Sequence, residues 1–295
     1  MKFSSIGSIR HLLFASLVLC ALGAVSARAT TGDDTNLDGS IKTNGFLLHP
    51  TYDFSMFTVV TSGDLNDTNN TFTGPSVLTG NVAIGGHGNF SASDGTITGD
   101  IYINRFGTFT KSGPTVHTGS VFQSTAANDA VDMKLTNALA GAKYLSQQAA
   151  LESSTSNYTV NGNSQVLTNV NINSNTTTTI DITSGNKAVL NLSNFVMTQG
   201  TFTLMGTAAQ TYIINVAQNF SLNNSSITLS GGITASHVLF NIVGNGSDVT
   251  LQQGTSMKGI LLSYDRKVNL SGGKVFGKVI AEQLAITSGG QAVSQ

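Results

Sequence analysis

The sequence is short of the residues that cross-link or stiffen a chain. It has one cysteine in 295 residues, no tryptophan and three prolines. The cysteine, Cys20, lies in an N-terminal apolar run, so the remainder of the chain can form neither a disulfide nor a thiolate metal site. A fold made by this chain must therefore be held together by hydrogen bonds and by the packing of its core.

Charged residues are also scarce. They make up 10% of the chain, and the formal net charge is −1. A disordered protein needs a higher net charge, and a nucleic-acid-binding surface needs clusters of basic residues, so the composition argues against both. His87, His117 and His237 lack metal-ligand spacing, and neither a phosphate loop nor a Gly-x-Ser-x-Gly motif is present. We therefore predict no cofactor and no metal site.

The N-terminus has the parts of a secretion signal. A basic start is followed by the apolar run 12–25 and by Ala-Arg-Ala at 27–29, which is typical of a cleavage site. The run is too short to span a membrane comfortably. We expect residues 1–29 to be a signal peptide, residues 30–48 to be a polar segment, and the mature protein to be extracellular without membrane insertion.

One short pattern recurs near the C-terminus at a fixed offset of nineteen positions. It consists of an alternating apolar pair, a glycine and two further apolar residues, followed later by a compressed copy of the pair. The copies are Val249, Leu251, Gly254, Met257 and Ile260, then Val268, Leu270, Gly273, Phe276 and Val279, then Leu284 and Ile286. Alternation with glycine corners is typical of a β-solenoid coil, in which short strands point every second side chain inwards.

A second series with nearly the same period lies in the N-terminal half. Thr79, Thr98 and Thr118 are each followed by a glycine and, two positions after the glycine, by an apolar residue. Phe90 and Phe109 are nineteen positions apart, the offset of the C-terminal copies. Stacked coils bring equivalent residues into columns, so Phe90 should lie against Phe109 in the interior. The three threonines should form a ladder on the outer surface.

Residues 125–152 predict one helix between the two series. Its apolar residues recur at steps of three and four, at Val131, Leu135, Leu139, Ala142, Leu145 and Ala149. Asn128 or Asp129 could cap its start. We expect the helix to bury this stripe along one wall of the solenoid. After it, the polar tract 173–179 indicates a loop, and alternating strands resume at Ile180.

The C-terminal coils resemble those of choice-of-anchor A domains. The similar segments are 259–262 (Gly-Ile-Leu-Leu), 277–281 (Gly-Lys-Val-Ile-Ala) and 288–290 (Ser-Gly-Gly), while the run 80–86 is similar to that family's opening coils. The sequence departs from the family at Ser263, Tyr264 and Glu282, where small or turn-forming residues are usual. The resemblance implies a secreted, surface-associated and non-enzymatic module, collagen-binding-like in places, whose partner is an extracellular matrix or cell-surface polymer.

The chain also resembles the bacterial and fungal ice-binding β-solenoid family. Residues 74–81, a helix after the first coils and closing coils of the form Gly-x-Ile-Leu and Gly-x-Val carry this resemblance. It implies an ice surface as the partner of a flat, threonine-rich face. One coil beyond Thr96 and Thr98, the nineteen-position offset gives Thr115 and His117, so a two-threonine array does not persist and a ladder of one threonine per coil remains.

The sequence therefore predicts an all-β fold, a right-handed β-solenoid over 49–295 with one long helix packed alongside. The first functional hypothesis is a secreted, non-catalytic adhesion module that binds an extended extracellular partner through a flat strand face, with the ladder Thr79, Thr98 and Thr118 as a possible binding surface. Ice binding by the same fold is the alternative. The third is a polysaccharide-active enzyme, with the candidate pairs Asp94 with Asp100 and Asp265 with Arg266.

Overall fold

The computed structural model describes residues 53–68 and 76–295, so the predicted signal peptide and polar segment lie outside the described residues. Ten strands precede the helix in these ranges: β1 (Phe57–Thr61), β2 (Leu65–Thr68), β3 (Ser76–Thr79), β4 (Asn81–Ile84), β5 (Phe90–Ala92), β6 (Gly95–Thr98), β7 (Ile101–Ile103), β8 (Phe109–Lys111), β9 (Val116–Thr118) and β10 (Val121–Gln123). Helix α1 is Ala130–Leu151, and a 3₁₀ turn at Ala235–His237 follows much later.

Fifteen strands of the described chain follow α1: β11 (Tyr158–Val160), β12 (Asn163–Ser164), β13 (Val170–Asn173), β14 (Thr177–Ile182), β15 (Lys187–Leu192), β16 (Phe195–Thr198), β17 (Thr201–Met205), β18 (Thr211–Val216), β19 (Phe220–Asn223), β20 (Ser226–Ser230), β21 (Val238–Ile242), β22 (Val249–Gln252), β23 (Ser256–Ser271), β24 (Lys274–Thr287) and β25 (Gln291–Val293). Within the two described ranges, no helix is both long and apolar enough to cross a membrane.

Three columns of parallel strands form the walls of the predicted β-solenoid, because successive strands of a coil pair with their equivalents in the next coil. Face A consists of β1, β4, β7, β10, β15, β18, β21 and the middle of β23 and β24. Face B consists of β3, β6, β9, β14, β17, β20, β25 and the start of β23 and β24. Face C consists of β2, β5, β8, β13, β16, β19, β22 and the end of β23 and β24.

The coils do not stack in chain order. The first coil lies on the last one, because β24 pairs with β1 and β2, and β25 pairs with β3. From β10 the chain returns along face A as α1 and starts again at the other end of the column. The helix is thus the connection that lets the two halves form one continuous solenoid.

The interior columns confirm the nineteen-position period. Val249 lies opposite Val268, and Phe90 lies opposite Phe109 with their ring centroids 5.1 Å apart. The offset shortens by one position along the first part of β23 and β24, so the predicted pairing of Met257 with Phe276 is wrong. Met257 instead faces the register position of Val275, which lets both side chains point into the core.

The coils that follow the helix in the sequence have a longer period. Phe195 stacks on Phe220, its equivalent in the next coil, with centroids 5.2 Å apart and ring planes at 16°. The predicted loop at 173–179 is partly wrong. Strand β14 begins at Thr177, and its side chains alternate like those of the neighbouring coils. Local polarity gave the wrong prediction because threonine suits an exposed strand position as well as a loop.

The end of the N-terminal half is a capping coil. Its inward register positions carry polar residues: Lys111, His117 and Gln123 lie opposite Ala92, Ile97 and Ile103 of the preceding coil. A terminal coil of a solenoid needs such residues because nothing stacks on its outer side. The structure also corrects the predicted match of Thr96 and Thr98, which pair with Val116 and Thr118 rather than with Thr115 and His117.

Helix α1 covers face A. Small and aliphatic residues form its buried stripe, namely Leu135, Ala138, Gly141, Ala142, Leu145 and Ala149. They pack on outward apolar residues of face A, including Val189, Ile213 and Leu239, as a second core outside the solenoid interior. The predicted stripe is confirmed, although Leu139 lies at its margin.

Three stacked asparagines hold the C-terminal part of α1. Asn191, Asn215 and Asn241 occupy one outward row of face A, and each amide accepts from or donates to the next at 2.8 Å. Their amide nitrogens also donate to the carbonyl oxygens of Glu152, Ala149 and Ser146, at 2.7–3.0 Å. The ladder thus ties the last two turns of the helix and its C-cap residue to face A.

Replacing Asn215 with alanine should destabilise the protein by about 1–3 kcal/mol, because the buried Ala149 carbonyl and the Asn241 amide would each lose a partner. Urea denaturation would measure the loss. The exposed Asn223→Ala change on face C is the control, with an expected effect within about 0.5 kcal/mol. Equal effects of the two changes would contradict a special role for the ladder.

Asp129 is the N-cap of α1. Its carboxylate accepts from the backbone N–H groups of Asp132, Thr125, Val131 and Ala126 at 2.7–3.1 Å. The hydrogen bonds from Asp132 and Thr125 are the main cause that holds the pKa of Asp129 well below its usual range. Of the two caps considered from the sequence, the structure uses this one.

The lowered pKa predicts acid sensitivity at the start of the helix. The charged cap stabilises the folded state above the unfolded-state pKa of about 4 and loses this effect as the pH falls towards the folded-state pKa. Asp129→Asn keeps a capping oxygen but does not titrate. Between about pH 4 and pH 2, the melting temperature of the wild type should therefore fall more steeply than that of Asp129→Asn. Parallel curves would contradict this assignment.

Candidate binding faces

Two of the three walls are exposed along the solenoid. Face A is covered by α1, which leaves faces B and C as surfaces that a large partner could contact. On both, side chains alternate between buried and exposed positions, so two outward rows run along each face, and β14, β17 and β20 add a third that contains Asp181, Met205 and Ser230. Neighbouring coils place successive residues of one row about 4.8 Å apart. The chemistry of the two pairs of rows distinguishes the faces.

Face B contains the predicted threonine ladder. Thr79, Thr98 and Thr118 lie side by side in adjacent coils. In the other direction the same row continues with Val293, Phe276 and Lys258, and Lys274 stands beside them in the second row. A long charged side chain and a phenyl ring thus interrupt the hydroxyl row, and the ladder is three coils long.

A second hydroxyl array lies at the other end of face B. Two outward positions in each of β14, β17 and β20 carry hydroxyls, namely Thr177, Thr179, Thr201, Thr203, Ser226 and Thr228. The hydroxyls of Thr203 and Thr228 are 3.0 Å apart. The sequence indicates this array through its Thr-x-Thr steps at 177–179 and 201–203. The two steps are separated by more than nineteen positions, so the nineteen-position period does not align them.

Face C has no charged residue in its outward rows among the side chains that the structure describes. One row contains Asn171, Val196, Ser221, Thr250, Asn269, Ala285, Ser91 and Thr110. The other contains Asn173, Thr198, Asn223, Gln252, Ser271 and Thr287. Charges stand at the margins, with Asp64, Asp248 and Lys267 near face A and Lys111 in the capping coil. The face therefore offers amides and hydroxyls, with few methyl groups between them.

A shallow depression of about 450 Å³ lies near the middle of face C. Its described lining is entirely neutral and polar, and consists of Asn223, Thr250, Gln252, Gln253, Asn269, Ser271 and Ser288. The longer amide side chains of Gln252 and Gln253 stand beside the short hydroxyls of Ser271 and Ser288. Beneath them, Leu251, Leu270 and Ile286 are buried in the solenoid core. The floor is thus part of the sheet.

Hydrogen bonds between coils fix the edges of face C. At the corner with face A, Asn194 donates through its amide to Asn169 at 3.2 Å, and Asn219 donates to Asn194 at 2.8 Å. Farther along, Asn89 and Asp64 form a similar contact at 3.3 Å. Because successive turns are tied in this way, the outward side chains are arranged before any partner binds.

The sequence as a whole matches a family of similar architecture. A family model described as "Putative Ice-binding-like adhesive domain" matches residues 23–293. The chain belongs to this family. A search of curated proteins finds no match. The resemblance to ice-binding solenoids is confirmed, whereas the matching model is not that of the choice-of-anchor A family.

Solved structures of ice-binding proteins have the same fold as this ice-binding-like adhesive domain. A glycosylated ice-binding protein from an Arctic yeast is 14% identical, with a TM-score of 0.51 over 81% of this chain and 91% of that one. One from the Antarctic ascomycete Antarctomyces psychrotrophicus is 16% identical, with a TM-score of 0.50 over 81% and 94%. One from an Antarctic biological consortium is 17% identical, with a TM-score of 0.50 over 81% and 87%.

The first acidic pair considered for catalysis lies in two successive corners of the solenoid. Asp94 lies in the corner before β6, and Asp100 lies in the corner after it. Asp100 accepts a hydrogen bond from the backbone N–H of Ser120 at 2.9 Å, which ties its corner to the next coil. The carboxylate of Asp100 thus connects two coils through a backbone hydrogen bond at a corner of the solenoid.

The second pair, Asp265 with Arg266, is separated. Arg266 turns away from Asp265, is buried, and donates to the carbonyl oxygen of Gln218 at 2.7 Å. Burial lowers the pKa of Arg266, and Asp248 partly offsets this effect. The structure therefore does not form the candidate pair of Asp265 with Arg266.

The three histidines in the described part of the chain lie in separate places. His87 contacts Phe106 edge-on, His117 contacts Phe109 in the capping coil, and the imidazole of His237 is 2.8 Å from the hydroxyl of Thr234. Across residues 53–68 and 76–295, no three His, Cys, Asp or Glu side chains are grouped as a metal site would require.

Proposed function

We propose that this chain is a secreted, non-catalytic adhesion module that binds an extended extracellular polymer through face C. The observation that carries the proposal is the absence of charge from both outward rows of that face, over all the coils whose side chains are described. A polymer that lies along the solenoid can contact many equivalent positions without crossing a long charged side chain. The family match to adhesive domains supports the same function class.

The form of the surface also favours a polymer over a small ligand. Small-molecule sites are concave and mostly apolar, with a few polar groups that fix orientation. The depression on face C is shallow, and its described lining is polar throughout. Individual contacts on such a surface are weak, but simultaneous contacts along one chain raise the overall affinity. An extended partner uses this surface best.

Co-sedimentation with insoluble polymers tests the proposal. The chain from Thr30 onwards would be mixed with fibrillar collagen, cellulose, chitin and β-1,3-glucan, and the bound fraction measured. We expect saturable retention on at least one polymer. Lack of retention on all four would contradict adhesion as the function. Sequencing the N-terminus of the exported protein would test secretion, with Thr30 expected as the first residue.

Ice binding is a second candidate, favoured by the six-hydroxyl array of β14, β17 and β20 on face B. The array has two regular rows of small side chains without a charge among them. Thermal hysteresis and inhibition of ice recrystallisation distinguish it from adhesion. Activity at micromolar protein that disappears in Thr203→Lys would establish ice binding and overturn the adhesion proposal. We expect no such activity, because Lys258, Lys274 and Phe276 end the array.

A further inference from the structure

We infer that the depression on face C is a binding site for an uncharged polysaccharide. This inference rests on the proposed adhesive function and specifies both the site and the chemical class of the partner. The site is built by four successive coils, and the neutral residues that line it provide amide and hydroxyl groups only. The chemistry of its exposed amides, of the strand residues beneath them and of the surrounding face favours this class of ligand.

The amide shelf, formed by Asn223, Gln252 and Gln253, matches the chemistry of a sugar. The three residues are exposed, and in the described part of the chain their side-chain amides make no hydrogen bond. Each amide has a carbonyl oxygen that accepts and an NH₂ group that donates. A sugar hydroxyl is likewise both donor and acceptor, so it can pair with either end of an amide. A ligand that carried only hydrogen-bond donors, or only acceptors, would pair with one end of each amide and leave the other end unused.

The floor of the depression is less adaptable than the shelf. The hydroxyls of Thr250 and Ser221 are 2.9 Å apart, and the amide of Asn269 donates to Asp248 at 3.1 Å. These contacts hold Thr250 and Asn269 in fixed orientations on paired strands. A fixed floor reduces the ordering cost of binding, and the methyl group of Thr250 provides a small apolar contact for a sugar ring.

The lining disfavours the other classes of polymer. Its described residues include no Trp, Tyr, Phe, Met or Arg, which are the residues that usually anchor a protein partner. They include no Lys or Arg to bind a sulfated or carboxylated polymer, for which basic groups would be needed. A neutral polyhydroxyl chain remains as the class that the lining can satisfy without an unpaired charge.

The surface beyond the depression suits a linear chain. Outward amides and hydroxyls continue on both sides of it, at Asn173 and Thr198 towards one end and at Thr287 and Ser91 towards the other. Successive sugar units of one polysaccharide would therefore meet similar groups along face C. The depression would be the strongest point of a longer contact.

Binding to chitin, cellulose and β-1,3-glucan particles tests the site, with the chain from Thr30 as the protein. The double variant Asn223→Ala with Gln252→Ala removes two shelf amides, and we expect its apparent affinity for the retained polysaccharide to fall about tenfold. Ser271→Lys should weaken binding as well, because the lysine side chain fills the floor. The control Thr203→Ala with Thr228→Ala changes face B and should bind like the wild type. Melting temperatures would verify that all variants are folded.

The outcomes separate this inference from the proposed function. Retention on collagen but on none of the three polysaccharides would overturn the inference and leave adhesion in place. Retention on no polymer would overturn both. Polysaccharide binding that is lost in the face B control and kept in the face C variants would overturn the site. Tighter, salt-sensitive binding to alginate or a sulfated glucan would overturn the neutral ligand class.

Discussion

The change Phe220→Ala should lower the free energy of unfolding by about 3–5 kcal/mol. Phe220 is 1% exposed and lies in the interior of the solenoid. Its ring stacks on Phe195 at 5.2 Å and contacts Phe240 edge-on at 5.8 Å, so it joins three successive coils. Removing it leaves a cavity that strands on all sides cannot close. The stability of a solenoid depends on contacts between neighbouring coils, so a loss at this column affects two interfaces at once.

Guanidinium chloride denaturation followed by circular dichroism would measure this loss. Phe106→Ala is the matched control, because Phe106 is 59% exposed and contacts His87 and Arg105 on the surface. We expect the control to lose less than about 1 kcal/mol. Similar losses for both variants would show that Phe220 does not occupy a tightly packed column.

The change Gly99→Ala should destabilise the protein by about 2–6 kcal/mol, from backbone strain and overpacking of about 1–3 kcal/mol each. Gly99 has a φ of +133°, which side chains rarely allow, and a Cβ there would lie 2.5 Å from the carbonyl oxygen of Gly80. Gly80 is the equivalent residue of the preceding coil. A Cβ at Gly119 would likewise meet the carbonyl oxygen of Gly99, so the close approach explains why a glycine follows Thr98 and Thr118 in the sequence.

Gly162→Ala separates the two causes. Gly162 also has a positive φ, +79°, but a Cβ there meets nothing within 4 Å. Only the conformational cost applies, and we expect a loss of about 1–2 kcal/mol. Thermal and chemical denaturation of both variants would give the comparison. If Gly162→Ala lost as much as Gly99→Ala, the close approach between coils would have no measurable effect.

The fold could be predicted from the sequence wherever the coils have constant length. The offset of nineteen positions placed Val249 against Val268 and Phe90 against Phe109, as found. It failed in the coils that follow the helix in the sequence, where the corners are longer and Phe195 meets Phe220. Corner length is not constrained by the core, because corner residues are exposed. A repeat that varies at its corners is difficult to recognise without the structure.

The candidate site could be predicted less completely. The ladder Thr79, Thr98 and Thr118 is aligned as expected, since the same residue recurs with its glycine. Whether it binds a partner stays a prediction. Face C gave no signal, because its first outward row changes residue type from coil to coil and its members are unequally spaced in the sequence, as from Ser221 to Thr250 and then to Asn269. Only the stacking of the strands brings these residues together.

Faces B and C differ in whether charged or bulky side chains interrupt their outward rows. This difference distinguishes a surface suited to adhesion from one suited to ice binding. Face B has two rows of hydroxyls at one end and a single threonine row at the other, but Lys258, Lys274 and Phe276 project between them. Face C has mixed amides and hydroxyls, and the described part of its rows runs along the solenoid without a charge. A repetitive crystal surface favours the uniform array, whereas a flexible polymer can adjust to mixed groups. We therefore favour the polymer as the partner.

Side-chain amide signals in a ¹H–¹⁵N correlation spectrum test the central claim most directly. The labelled protein would be titrated with soluble oligosaccharides of chitin, cellulose and β-1,3-glucan. We predict that the NH₂ signals of Asn223, Gln252 and Asn269 shift with one of these ligands, while that of Gln291 on face B does not. Shifts confined to face B would contradict the assignment of face C as the binding surface, and no shift with any of the oligosaccharides would contradict a polysaccharide site there.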